Sequence, residues 1–441
     1  MTPPPASVAA DAPYPEPRYA WYVVGVLMIA YTFSFIDRQV LNLLVGPIRA
    51  DLGLTDTEIS LLQGFAFAVF YTSCGIPLGV LADRVSRRWL IAIGITVWSV
   101  MTAACGLARS FGQLFAARVG VGVGEAALSP PAYSMIADLF PPERRGRAAS
   151  VYYMGVQLGS SLALLVGGPL IELASRIGPL EFPYIGVVRP WQLAFIAVGL
   201  PGILVALVVA TLTEPPRRCP PGLGGSSGIS WAAHFSRHRR AYAGHFAGFA
   251  LLSLVAYGIG AWAPTFMSRT YGWGPGSIGL LYGVLTLTVG TTGVYAGGWL
   301  ADWLRKGGRP DAPLRAACIG AAAIWLPAAT APLMPSAGLA VLLAVPNTFL
   351  LGFPFGIAAA AIQEITPSNL RGRATALYLF FSTLVGLGAG PTVVALVTDH
   401  VFRDDQMLRY SLSLVSGTLI PIVVGILAVT LRPFRLAVED Q

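Results

Sequence analysis

Uncharged apolar stretches of about 20 residues recur along the whole chain, and no other feature limits its fold so strongly. Each can cross roughly 30 Å of hydrocarbon as a helix. A helix satisfies its own backbone N–H and C=O groups, which lipid cannot do. A membrane β-barrel would need ~10-residue segments of alternating hydrophobicity, and none is seen. Apolar residues make up 55% of the chain and charged residues 11%, against roughly 25% charged in a soluble domain. Mean hydropathy is +0.67. Twelve spans are expected, at 19–46, 59–82, 88–108, 113–137, 147–173, 190–212, 242–268, 276–301, 313–332, 337–363, 373–399 and 409–431.

Two motifs occur twice. Gly79-Val80-Leu81-Ala82-Asp83-Arg84 returns as Gly298-Trp299-Leu300-Ala301-Asp302-Trp303, an offset of 298 − 79 = 219. Asp138-Leu139-Phe140-Pro141 with Arg145-Gly146-Arg147-Ala148 returns as Glu364-Ile365-Thr366-Pro367 with Arg371-Gly372-Arg373-Ala374, an offset of 364 − 138 = 226. The expected fold class is therefore an all-α membrane protein of twelve transmembrane helices in two pseudo-repeated six-helix bundles, at 19–212 and 242–432. Paired halves of this kind point to alternating access around a central site.

Basic residues set the expected orientation. The even-numbered connections and the tails hold 20 of them and the odd-numbered connections seven, with Arg38 and Arg118 inside spans. The positive-inside rule then puts both termini in the cytoplasm. It also accounts for the net charge of +8 without nucleic acid as a partner. Residues 1–18 read as a disordered cytoplasmic tail with no basic n-region of a signal peptide, and 433–441 as a second tail. Residues 213–241 read as a Gly-Ser-rich cytoplasmic linker ending in a basic stretch, Trp231 to Arg240, able to form a short helix. Arginine outnumbers lysine 28 to 1, a usage that suits a GC-rich bacterial gene, so a bacterial inner membrane is expected. Cys74, Cys105, Cys219 and Cys318 imply no disulfide framework.

The repeated motifs supply candidate gating residues on the cytoplasmic face: Gly79, Asp83, Arg84, Arg87, Arg88, Asp138, Arg145, Asp302, Glu364 and Arg371. Gly79 would allow close helix approach. Asp83 would pair with arginines and with an exposed helix N-terminus.

Gly79-x-Leu81-Ala82-Asp83-Arg84-x-Ser86-Arg87-Arg88 resembles the signature loop of the major facilitator superfamily, with Ser86 where a glycine is usual. Arg118-x-x-x-Gly122-x-Gly124 resembles that superfamily's span-four motif, and Gly167-Gly168-Pro169 loosely its antiporter motif. Asp37-Arg38 in span one, with Arg118 and Gly122-Val123-Gly124-Glu125 in span four followed by Pro130-Pro131, resembles the Spinster family. That resemblance implies proton-linked export of lysophospholipids or sphingosine phosphate, and a cavity lined by spans one, four, seven and ten.

Asp37, Arg38, Arg118 and Glu125 would each cost roughly 2.5–3.5 kcal/mol or more facing lipid, so each should face a cavity or a partner. At 1.5 Å per residue Arg118 lies ~8 Å from the outer end, Asp37 and Arg38 ~12–14 Å, and Glu125 ~18 Å. Arg118 and Glu125 are two turns apart on one face. Asp37 and Glu125 are candidate proton carriers, with the proton as coupling ion and no other cofactor. Arg38 and Arg118 are candidate sites for an anionic head group. The alternative is two buried ion pairs that only hold spans one and four together. The second half offers Tyr257, Trp262, Phe349, Phe353 and Phe355 for apolar substrate contacts, near Gly- and Pro-interrupted stretches.

The chain's single lysine, Lys306, follows Arg305, so there is no Walker A and no ATP-driven pumping. Gly120-x-Gly122-x-Gly124 lies in a span and reads as helix packing. His234 and His238 have i, i+4 spacing but no third ligand nearby, so no metal site is expected. No nucleophile and base stand together, so an enzyme is not expected. The expected activity is secondary transport by a monomer of a lysophospholipid or similar amphipathic anion. Proton-coupled antiport of a drug or small organic anion remains the alternative.

Overall fold

The computed structural model describes residues 14–183, 186–217, 231–367 and 370–440. The expected N-terminal tail up to residue 13, Cys219 and the linker residues 218–230 lie outside the described residues.

Among the described residues, eleven helices are long and apolar enough to cross a membrane: Pro17–Leu43, Asp56–Ala82, Arg87–Cys105, Glu143–Ile177, Pro190–Ala210, Arg239–Tyr271, Pro275–Lys306, Ala312–Leu333, Ala337–Glu364, Arg371–Phe402 and Asp405–Glu439. The twelfth crossing is span four, and it is broken. The sequence pattern predicts one helix over 113–137, but the chain forms Phe111–Ala126 and Ser129–Leu139. The cause is Pro130-Pro131. Neither has an N–H to continue the i→i−4 ladder, so the first helix closes with short bonds, Ala127 N to Gly124 O and Leu128 N to Glu125 O, both 3.1 Å. The prolines then occupy the first turn of the next helix, where no donor is needed.

Several other boundaries differ from the sequence pattern. The last helix runs to Glu439, through most of the stretch read as a tail, because Phe434 and Ala437 are fully buried. Two short antiparallel strands, Leu180–Phe182 and Gly186–Val188, connect spans five and six. The basic end of the linker forms the helix Trp231–Arg237, whose Trp231 and Phe235 pack on Tyr242 at 6.0 and 5.0 Å.

The chain divides into two compact units. The first comprises the residues up to Leu41, Val69–Ala163 and Leu173 to the linker. The second comprises everything from the linker onward together with Asn42–Ala68 and Leu164–Glu172. The end of span one with the start of span two, and a short piece of span five, thus pack with the second half.

Spans eight and ten touch backbone to backbone in the second unit. A Cβ added at Gly293 would lie 1.9 Å from the Phe349 carbonyl oxygen, and one at Gly352 would lie 2.7 Å from Val294 N. Without a hydrophobic drive between helices in lipid, such small-residue contacts supply the packing.

Candidate functional site

Span one places Ser34, Asp37 and Arg38 within one turn, and span four brings Glu125 against them. Arg38 Nη2 is 2.5 Å and Nε 2.6 Å from Glu125 Oε2, and the Ser34 hydroxyl donates to the same oxygen. The guanidinium also lies over two rings, 4.6 Å from the Phe35 centroid and 4.9 Å from that of Tyr71. A cation on an aromatic face loses less by leaving water.

Asp37 is held differently. Its Oδ2 accepts a 3.1 Å bond from Thr102 of span three. Arg118 Nη1 donates 3.3 Å to its main-chain oxygen. Asp37, Arg118 and Glu125 are each at most 2% exposed. Asp37 Oδ1 and Glu125 Oε1 are buried and accept no hydrogen bond among the described residues. A buried carboxylate oxygen without a donor is costly as an anion and has room to carry a proton instead. The four charged residues are thus brought together as the sequence predicts, while Ser34 and Thr102 were not picked out. Ser34 was within reach, lying three and four residues before the Asp-Arg pair on one helix face. Thr102 carries no local signal.

The aromatic candidates of the second unit divide into two kinds. Tyr257 and Phe355 meet edge to face at 6.5 Å, and Phe355 is 39% exposed. Phe349 and Phe353 meet at 5.3 Å. Phe353 is buried against Gly320, whose added Cβ would lie 3.2 Å from it. Trp262 is fully buried, and its indole N–H donates 2.9 Å to Pro391 O.

The motif residues are placed as follows. Arg87, 1% exposed, binds Asp138, Glu214 Oε1 at 2.9 Å, Ser134 Oγ at 3.0 Å and Pro215 O at 2.8 Å. Glu214, which the sequence reading did not select, also accepts from Ser86 Oγ at 2.5 Å and Arg87 N at 3.1 Å. Burial alone would raise the Glu214 carboxyl, but these bonds outweigh it and hold it below the usual range. Asp83 does not pair as predicted. Among the described residues its carboxylate makes no ion pair, because it points to solvent from a turn, and Arg217 binds its backbone oxygen instead. Gly79 is not at a close approach either, since an added Cβ would meet Pro130 Cβ at an ordinary 3.8 Å.

The remaining arginines mostly cap carbonyls. Arg88 binds Leu212 O at 2.8 Å, Arg145 binds Phe140 O at 3.0 Å, and Arg371 binds Gln363 O and Thr366 O at 3.1 Å. Arg84 is exposed. In the second copy Arg305 pairs with Glu364, while Asp302 is exposed and unpaired among the described residues.

Comparison with known proteins agrees with this architecture. The family model described as Major Facilitator Superfamily matches residues 27–391. An MFS-type efflux pump of Mycolicibacterium smegmatis is 30% identical over 92% of this chain and 90% of its own length. Protein spinster of Drosophila melanogaster is 25% identical over 91% of this chain, which spans 65% of that longer protein. A crystal structure of a bacterial homolog of the human lysosomal transporter Spinster, inward-facing and unoccupied, superposes with a TM-score of 0.77 at 27% identity, covering 96% of this chain and 98% of the other. A D-xylose-proton symporter, at 15% identity and TM-score 0.66, shares the fold. With twelve crossings, a duplicated six-span plan and these matches, the chain belongs to the Major Facilitator Superfamily as a multi-pass membrane transporter, not an enzyme, and resembles the Spinster proteins.

Proposed function

We propose that this transporter moves a lysophospholipid or similar amphipathic anion across the bacterial inner membrane, coupled to protons, as a monomer with both termini in the cytoplasm. The observation that carries the coupling is the buried cluster of Asp37, Arg38, Arg118 and Glu125, in which two carboxylate oxygens have no donor among the described residues. A proton on Glu125 would weaken its hold on Arg38 and free that guanidinium for an anionic head group. Loss of the proton would restore the pair and expel the anion. Protonation and cargo binding then reinforce each other, and Arg38 is the shared element. The aromatic residues of the second half are assigned to the cargo's apolar part. The resemblance to Spinster proteins favours a lipid, and the efflux-pump relative keeps drug or organic-anion antiport as the second reading.

The test is transport of fluorescent lysophospholipid into proteoliposomes under an imposed pH gradient. Glu125→Gln and Asp37→Asn should each lose the gradient-driven component. Full proton-driven transport in both variants would refute the coupling role. Thermal stabilisation by short organic acids alone, and not by lysolipids or sphingoid phosphates, would refute the lipid cargo.

A further inference from the structure

Span three carries two fully buried polar groups, Trp98 and Ser99, side by side. Among the described residues, neither the Trp98 indole nitrogen nor the Ser99 hydroxyl has a hydrogen-bond partner. A serine or threonine inside a helix commonly bonds the carbonyl four residues back, as Thr96 does to Ala92 O at 2.9 Å. Ser99 makes no such bond, and its hydroxyl is turned toward span six instead. A Cβ added to Gly202 of that span would lie 2.1 Å from Ser99 Oγ and 4.0 Å from Trp98 Nε1. Both polar atoms thus converge on one glycine. Gly199, one turn earlier, brings the span-six backbone onto the same row. Its added Cβ would lie 2.8 Å from Ser99 O and 3.1 Å from Thr102 Cβ. All these residues belong to the first compact unit.

The row leads to Asp37. Thr102 follows Ser99 by three residues on one helix face, where side chains start about 5–6 Å apart. It donates to Asp37 Oδ2, while Asp37 Oδ1 accepts nothing among the described residues. The row therefore has a donor-only end at Trp98, hydroxyls in the middle and an acceptor-only end at the carboxylate. The charged and titratable groups that reach Asp37 are Glu125 and Arg118 of span four, Arg38 of its own helix and Cys105 of span three. Span six meets the row with glycines. A cation here would face an indole N–H, and an anion would face two carboxylates. Water accepts from the one and donates to the other, and buried waters make about three bonds to groups otherwise left unpaired.

We infer that Trp98, Ser99 and Thr102 hold one or two internal waters against Asp37, and that Ser99 is a positioning residue for the proton on that carboxylate. The second part rests on the proposed proton coupling through Asp37, and the water site does not. With Asp37 ionised, the water donates to Oδ1. Protonation forms an O–H bond at Oδ1 and breaks one in the hydronium that delivers the proton. The new hydroxyl then donates to the same water, which turns its hydrogen toward Ser99 Oγ. Both protonation states are hydrogen-bonded, so the proton moves on and off without leaving an orphaned group.

The site can be read by NMR of protein labelled with 15N-tryptophan in micelles. The Trp98 indole signal, assigned by its loss in Trp98→Phe, should show a cross-peak to water despite full burial. Trp262, equally buried but donating to Pro391 O, should show none. Ser99→Ala should remove the Trp98 cross-peak. Gly202→Ala keeps every polar group but displaces the hydroxyl, and should do the same. In proteoliposomes the pH midpoint of gradient-driven transport should move about one unit to the alkaline side in Ser99→Ala. A hydrogen bond to the anion is lost there, and the proton is held more tightly. Ser99→Thr, which keeps the hydroxyl, should restore the midpoint. A Trp98 signal without a water cross-peak in the unsubstituted protein overturns the site. A cross-peak lost in Ser99→Ala with the midpoint unmoved, while Asp37→Asn still loses gradient-driven transport, overturns the positioning role alone. Full gradient-driven transport in Asp37→Asn refutes the coupling through Asp37 and the positioning role with it, and the water site then stands on its cross-peak.

Discussion

Arg87 lies in the signature loop, yet its contacts are those of a brace inside the first unit. Its guanidinium is 1% exposed and serves Asp138, Glu214, Ser134 and Pro215 O at once. Arg87→Ala would take this guanidinium from both carboxylates at once. Breaking a buried pair costs about 3–5 kcal/mol. The Asp138 and Glu214 side chains are 10% and 21% exposed, so water takes up part of the loss. The lower end, about 3 kcal/mol, is the expected value. Arg87→Lys should recover less than half of it, because a single ammonium cannot reach acceptors spread around a planar fork. Arg84→Ala, three residues away and exposed, should stay within about 0.5 kcal/mol. Equilibrium unfolding in mixed SDS–detergent micelles measures all three. If Arg87→Ala unfolds with Arg84→Ala, or if lysine restores full stability, the brace is wrong and the residue serves topology or gating alone.

Two further outcomes can be measured on the same preparations. Gly293→Val should destabilise by about 1–3 kcal/mol, since the Phe349 carbonyl leaves no room for any side chain. Stability equal to the unsubstituted protein would show that spans eight and ten part at little cost. Acid should also weaken the termini side. Glu214 and Asp311 are both pushed up by burial but held below the usual carboxylate range by stronger hydrogen bonds, Asp311 by Arg315 and Arg435. Their contribution is present above the unfolded carboxylate pKa, about 4, and is lost as pH falls through the lower folded values. Unfolding midpoints followed from pH 7 to 3 should therefore fall less steeply in Glu214→Gln with Asp311→Asn. An identical acid slope would count against the depressed values.

What the sequence made legible was whatever period, charge and repetition encode. Span length follows from lipid thickness, and four charges inside apolar spans had to find one another because lipid offers them nothing. What it did not reveal depends on contacts distant in the chain. Thr102 looks like any hydroxyl in an apolar helix until span three sets it 3.1 Å from Asp37. Glu214 reads as a linker residue until it closes the Arg87 brace. Pro130-Pro131 was visible, but its effect on span four required asking which carbonyls lose a donor. Asp83 was expected to pair from its spacing alone, and spacing does not say which way a turn points its side chain.

The duplication also runs deeper than identity can detect. In the first half, Arg87 at the start of span three binds Glu214 after span six. In the second, Asp311 at the start of span nine binds Arg435 at the end of span twelve, at 3.2 Å. The offsets are 311 − 87 = 224 and 435 − 214 = 221, within the range of the other repeats, but both signs are exchanged. Coulomb attraction is indifferent to which partner carries which charge, so the brace persists where letter-by-letter comparison finds a mismatch. The central charges are not exchanged in this way. An offset of 219 sets Tyr257 against Arg38, a ring where a reversed pair would need an acid. That brace therefore recurs in both halves, whereas the Arg38–Glu125 pair occurs once. The charge chemistry at the centre of the first half is thus not duplicated, as the proposed coupling role of that pair requires.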